Sequence, residues 1–274
     1  MNAIIYLLNN TEKDILCFRN SIQFLNQNYL FLNQCDIICF YEKDFPAQEI
    51  EYIESVSAKK IKFVKIKFEV PQYPHEISSK IKEYVPHPDF PSALGFSMGY
   101  RQMCKFFSGE IFKNENLEKY EYVWRLDTDS YILSPIQYDV FNRMKENNSK
   151  YGYINIQFDH PKMTIGLLEE SIKYFNLANF SPLIDLTLDE HKNRVFYTNF
   201  EIFDMKWFRG LEYQNFYNFI NESGGIFIYR WGDHCIRYIA VKSMIPESEI
   251  LFFDDIKYFH SKEYFNNKII NTNS

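Results

Sequence analysis

Along the first half of this chain, short apolar runs alternate with segments whose apolar residues recur at helical spacing. Ala3 to Leu8 predicts a strand. Thr11-x-x-Asp14 follows, a helix-start pattern close to a capping box with Asp in place of Glu, and then Ile15, Phe18, Ile22 and Leu25 at helical spacing. That is one strand-helix unit. Asp36 to Tyr41 predicts a second strand, Pro46 to Ser55 a short helix and Lys60 to Val70 a third strand. Between Pro71 and Pro91 five prolines exclude a regular element, so this segment reads as a loop or irregular excursion, a candidate flap beside the site. A helical pattern from Ser92 to Phe107 runs into Ser108-Gly109, and a strand-like run from Tyr120 to Ile132 comes next.

The second half is less regular. Tyr151 to Phe158 predicts a strand ending in Asp159-His160-Pro161, and Gly166 to Asn176 an amphipathic helix. Ser223-Gly224-Gly225 leads into Ile226 to Trp231, read as a glycine-flanked strand and turn, and Asp233 to Met244 predicts a helix with Asp233 at its N-cap. Ile250 to Phe253 is a last apolar run, followed by Asp254-Asp255 and Tyr258-Phe259-His260. Strands alternating with helices predict an α/β fold with a mixed, mostly parallel sheet, a Rossmann-like N-terminal half and helices on both faces.

Composition narrows the function. The 274 residues fit either one large α/β domain or two small ones, and 46% hydrophobic content supplies a packed core. A net charge of -6 without a long basic block lacks the footprint of a nucleic-acid binder. Five cysteines without a CxxC pair give neither a disulfide framework nor a zinc cage, which fits a reducing compartment. No charged segment followed by a pure apolar run opens the chain, and no stretch of about 18 apolar residues occurs. The expectation is a soluble, cytoplasmic protein without a built-in anchor, peripheral to whatever membrane carries its substrate. The oligomeric state is not legible.

Chemistry concentrates in Tyr120 to Ile132, which carries Asp127 and Asp129 just past its apolar part. Two residues apart in extended backbone, they project from one face. Two carboxylates that close repel unless a cation lies between them, and Mg²⁺ or Mn²⁺ accepts such oxygens while leaving positions for phosphates. Capping of a turn after the strand is the plainer reading of Asp-x-Asp by itself. Glu201 stands in the apolar run Tyr197 to Ile202, where a carboxylate is expensive unless ion-paired or used in chemistry; both remain open. By its position alone, His260 reads as a surface or hydrogen-bonded histidine.

Five motifs in one order, GYRQMCKFFSG (Gly99 to Gly109), YEYVWRLDTD (Tyr120 to Asp129), TNFEIF (Thr198 to Phe203), GGIFIYRWGD (Gly224 to Asp233) and EILFFDDIKYFH (Glu249 to His260), resemble the fungal Golgi α-1,2-mannosyltransferases. The resemblance covers roughly residues 92 to 260, with a weaker correspondence before them. It implies one GT-A-like catalytic domain over residues 1–274, with a nucleotide-binding half to 130 and an acceptor and catalytic half from 131. It implies a retaining transferase that moves a hexose, mannose from GDP-mannose first among the choices, to a hydroxyl of a glycan acceptor with Mn²⁺ (or Mg²⁺) as cofactor. Another nucleotide sugar, or a silent sugar-nucleotide or glycan-binding protein, remains the alternative.

Carried across residue by residue, the resemblance puts Asp127 at the metal-binding carboxylate and His260 at the second protein ligand, with Asp129 as a further metal candidate. Glu201 falls on the carboxylate beneath the anomeric carbon, as nucleophile or stabiliser, and Asp233 in the catalytic region. Tyr100 and Arg125 join Asp127 and Asp129 on the donor side. There are departures. The family reads Glu-Pro where this chain has Asp127-Thr128, and after RWGD it has Ala-Pro and then His, where this chain has His234-Cys235-Ile236-Arg237. The fungal enzymes are also anchored secretory proteins with a stem, so neither compartment nor acceptor carries over.

Overall fold

A computed structural model describes residues 1–33, 35–44, 46–89 and 95–261. Its seven-stranded sheet runs in the order Ile250–Phe252, Tyr151–Tyr153, Phe200–Asp204, Tyr122–Leu126, Asn2–Leu8, Asp36–Tyr41, Ile61–Lys65. Only Phe200–Asp204 runs against the others, so the sheet is mixed and mostly parallel, as the alternation of strands and helices predicts.

The first strand explains the two-layer burial. Ala3 and Ile5 join one core, Ile4, Tyr6 and Leu8 the other, because successive side chains leave opposite faces. Helix Glu12–Leu25 packs on the second face with Ile15, Phe18, Ile22 and Leu25 inward, and its first turn is closed by Thr11 Oγ1 accepting from the Asp14 amide at 3.1 Å. Helices Met98–Ser108, Leu211–Glu222 and Asp233–Met244 fill the first face.

Several expectations are corrected by tertiary contacts. The third strand stops at Lys65, five residues early, because the neighbouring strand it pairs with, Asp36–Tyr41, ends opposite it at Tyr41. The proline-rich excursion contains a one-turn helix, His75–Ser78, and a short pair, Tyr84–Val85 with Phe96–Ser97; its end at residues 90–91 and residues 92–94 of the expected helix lie outside the described residues. Fully buried Arg101 ties this excursion down by donating to the carbonyls of Lys82, Glu83 and Phe227. The Tyr151 to Phe158 run divides between two sheets, as Tyr151–Tyr153 and Ile156–Phe158. The segment after Gly224 is a helical turn, Gly225–Tyr229, rather than a strand, opened by Gly224 at φ 76° and ended by Arg230 at φ 70°.

Candidate active site

The Tyr122–Leu126 strand lies beside the first strand at the centre of the sheet, so its carboxyl end opens onto the crevice where ligands of open α/β sheets bind. The chain then turns, with the Ser130 amide donating to the Asp127 carbonyl at 3.1 Å, before Ser130–Ile132 begins. It is this turn, not the pleat of a continuous strand, that aims Asp127 and Asp129 together. Ser130–Ile132 pairs antiparallel with Tyr258–His260, with His260 opposite Ser130. A distant part of the chain is thereby brought beside Asp129.

His260 Nε2 lies 3.1 Å from Asp129 Oδ1 and 3.9 Å from Asp127 Oδ2. Its other ring nitrogen is engaged by the Tyr197 hydroxyl at 3.1 Å, an outer contact of the kind that orients a metal-binding imidazole. Asn199 braces the turn: its carbonyl accepts from the Asp127 amide and from Ser130 Oγ, each at 3.1 Å, and its side-chain oxygen from the Tyr258 hydroxyl at 2.7 Å. Two carboxylates and one imidazole on a braced turn fit a divalent ion such as Mn²⁺. Beside them is a cleft of about 420 Å³, bordered by Leu8, Asn9, Lys43, Tyr100, Asp127 and Asp129.

Behind this turn lies a buried ionic network. Arg125, 2% exposed, donates to Asp127 at 3.1 Å, to Glu201 at 3.0 Å and to Asp233 at 2.6 Å. Its guanidinium also stacks 3.5 Å from the centre of the Phe107 ring. Glu201, 0% exposed, is completed by the Tyr151 hydroxyl at 3.0 Å and Arg237 Nε at 3.1 Å. Burial lifts the Glu201 carboxyl above its ordinary range, against the pull of Arg237 and Arg125. Asp233 is not the N-cap. Gly232 holds that position, and the Asp233 carboxylate turns inward, where burial opposes its ionisation but Arg125 and His234 outweigh it and hold it down at about 2.

Tyr100, Asp127 and Asp129 therefore border the cleft, and His260 meets the two aspartates. Arg125, Glu201 and Asp233 lie behind them. The Tyr100 hydroxyl accepts from Arg230 at 3.0 Å, and Arg230 and His234 both engage Asp159. Asp159, His234 and Cys235 also lie close enough to suggest metal ligands, but Arg230 occupies the Asp159 oxygen that faces His234, and a guanidinium there competes with any cation. Sequence reasoning missed Arg237, Tyr151 and Tyr197 as parts of the site. Arg237 was legible in one respect: four residues after Asp233 on a helix, it must share that residue's inward face.

The profile of the family described as glycolipid 2-alpha-mannosyltransferase matches residues 1–270. The chain belongs to that family. A probable mannosyltransferase of Saccharomyces cerevisiae, KTR3, is 38% identical over 177 residues, 61% of this chain and 43% of that protein. Glycolipid 2-alpha-mannosyltransferase 1 of Candida albicans is 28% identical over 262 residues, 91% of this chain and 60% of that protein. This glycolipid 2-alpha-mannosyltransferase family member thus spans about half the length of the curated relatives it matches. Among solved structures, the mannosyltransferase Ktr4p of S. cerevisiae in complex with GDP superposes with a TM-score of 0.81 at 25% identity, covering 95% of this chain and 71% of that one. The Mn/GDP form of core-mannan synthase A from Aspergillus fumigatus has the same fold, with a TM-score of 0.81 at 24% identity over 94% of this chain and 74% of that one. The GT-A-like reading of the sheet stands on these superpositions. No helix among the described residues is long and apolar enough to cross a membrane.

Proposed function

We propose that this chain is a retaining glycosyltransferase that moves mannose from GDP-mannose to a hydroxyl of a glycan acceptor. The observation that carries the reading is the meeting of Asp127, Asp129 and His260, from distant parts of the chain, at the rim of a cleft at the carboxyl ends of parallel strands. Family membership and a relative's GDP complex support the donor. In this reading residues 1–130 hold the nucleotide and 131–274 the acceptor and catalytic groups. Five cysteines of which none forms a disulfide among the described residues support a cytoplasmic or otherwise reducing location.

A divalent ion bound by Asp127, Asp129 and His260 would neutralise the diphosphate as the sugar-phosphate bond breaks. Tyr197 fixes the His260 ring, and Asn199 fixes the turn that presents both carboxylates. Tyr100 forms part of the cleft wall, its hydroxyl held by Arg230. Glu201 serves as a fixed negative charge behind Arg125 rather than as an attacking nucleophile. Attack would require a fully buried carboxylate to leave Arg125, Arg237 and Tyr151 together.

Calorimetry with GDP, UDP and CDP, each with and without Mn²⁺, tests the reading, followed by transfer assays with the nucleotide sugar that binds. GDP binding that needs Mn²⁺, with transfer of mannose, is the expected result. Preference for UDP would change the donor, and binding without transfer to any acceptor would make this a sugar-nucleotide-binding protein.

A further inference from the structure

Arg237 is fully buried one turn beyond Asp233, in a box of four aromatic rings, Phe112, Phe203, Phe208 and Tyr213, whose centres lie 4.8 to 5.4 Å from its guanidinium carbon. Its Nε donates to Glu201 Oε2 at 3.1 Å, and its other nitrogens donate to the Tyr213 hydroxyl and, at 2.7 Å, to the Phe107 carbonyl. The other oxygen of Glu201 accepts from Arg125, which continues to Asp233 and Asp127. Charges of alternating sign therefore run without a gap from the aromatic interior to the candidate metal site: Arg237, Glu201, Arg125, Asp127. An arginine does not lose its proton in a protein, so two guanidiniums balance the two buried carboxylates, Glu201 and Asp233. Removing any one charge leaves another uncompensated where water cannot reach it.

We propose that Arg237 is a positioning residue of the transferase site: it holds the Glu201 carboxylate in place and, through Glu201, sets the orientation of Arg125 and so of Asp127 and Asp233. This deepens the transferase reading and rests on it. Arg237 neither borders the cleft nor touches Asp127, Asp129 or His260. Glu201 is faced by Arg125 and Tyr151 from neighbouring strands and by Arg237 and Asp233 from the helix, while the neutral Tyr213 hydroxyl reaches the cluster by accepting from Arg237. Burial favours its neutral form, and Arg237 is the stronger of the two cations opposing that tendency. Without Arg237 the carboxyl takes up its proton at higher pH, and Arg125 loses the anion that anchors it.

The test compares wild type, Arg237→Gln, Arg237→Lys, Glu201→Gln and the double variant Glu201→Gln/Arg237→Gln. Readouts are kcat against pH, GDP affinity with Mn²⁺, and the infrared band of a protonated carboxyl. Arg237→Gln should keep Mn²⁺-dependent GDP binding, weakened at most about 10-fold because Asp127 loses a brace rather than its carboxylate, and lose about 10²-fold in kcat at neutral pH. It should regain part of that loss as pH rises, and its carboxyl band, absent from Glu201→Gln, should persist to higher pH. Arg237→Lys, which keeps the charge, should restore the wild-type pH dependence. The double variant should be no slower than Glu201→Gln alone, because residues acting as a unit are not additive. Lacking both charges, it also remains a folded comparison if Arg237→Gln unfolds. An unshifted band and pH profile in Arg237→Gln, with only a lower Tm, would overturn the proposal. So would additive losses in the double variant. Absence of Mn²⁺-dependent GDP binding in the wild type would instead overturn the transferase reading, and the infrared band would still decide whether Arg237 controls Glu201.

Discussion

Arg125 and Glu201 are direct cross-strand partners, and their side chains meet at 3.0 Å with almost no solvent contact. This single pair joins the two motifs that carry the chemistry, because Arg125 precedes Asp127 by two residues on one strand and Glu201 lies in the antiparallel neighbour. Glu201 is ion-paired, and the arginine it pairs with is the one that holds Asp127.

Glu201→Gln removes the charge with little change of shape. It should slow transfer by about 10²-fold or more while leaving Mn²⁺-dependent GDP binding near wild type. Two effects oppose each other in its stability: Arg237 and Arg125 lose a buried counterion, while a charge that burial penalises is removed. Melting curves beside turnover per folded molecule decide it. Normal turnover in a destabilised protein would take Glu201 out of the mechanism.

At the metal site, Asp127→Ala and His260→Ala should abolish the Mn²⁺-dependent part of GDP binding with the fold intact. Tyr197→Phe, which frees the His260 ring without removing a ligand, should weaken Mn²⁺ binding about 10- to 100-fold. Titration of Mn²⁺ followed by calorimetry distinguishes the two classes. GDP affinity unchanged in EDTA would contradict the site.

Acid should unfold this protein through Asp159 and Asp233. Burial opposes ionisation of Asp159, but His234 and Arg230 outweigh it and hold the carboxyl at about 2, the same level as Asp233. A carboxyl depressed in the folded state contributes stability that is full above its unfolded value of about 3.9 and is lost as pH falls through the folded value. Glu201 has the opposite sign: its carboxyl is raised, so its share of stability is greatest at low pH and declines as pH rises. The net expectation is a fall in denaturant midpoint between about pH 4 and pH 2, shallower in Asp159→Asn. A flat profile over that interval would count against the network.

Gly225→Ala places a methyl group 2.3 Å from the Trp231 ring, which is buried and held by its indole N–H to the Ile165 carbonyl at 2.8 Å. That ring must move, at a cost of about 1 to 3 kcal/mol. Gly99→Ala is the control, since the added methyl would lie an ordinary 3.8 Å from Ser97 Oγ and the helix gains propensity. Thermal melts should separate the two, with Gly99→Ala at or above wild type.

What the sequence determined by itself was local or repetitive. Thr11 and Asp14 capped the first helix because both partners lie within one turn, and Ile15, Phe18, Ile22 and Leu25 found the core because helical periodicity leaves them one face. The order of five motifs identified the family and hence the fold, and it named Asp127, Asp129 and His260. Tertiary structure decided what those residues touch. Tyr151 to Phe158 reads as one strand but divides between two sheets, and the third strand ends early at a sheet edge, because backbone partners are chosen across the fold. Asp233 looked like a cap, yet its carboxylate turns inward, since the charged Arg125 in a low-dielectric core is a stronger partner than a neutral helix amide. His260 meets Asp129 only because two three-residue strands, more than 120 residues apart, pair in one register. Periodicity reports which face of an element is buried. Which charge waits there is set by long-range packing, which no local pattern encodes.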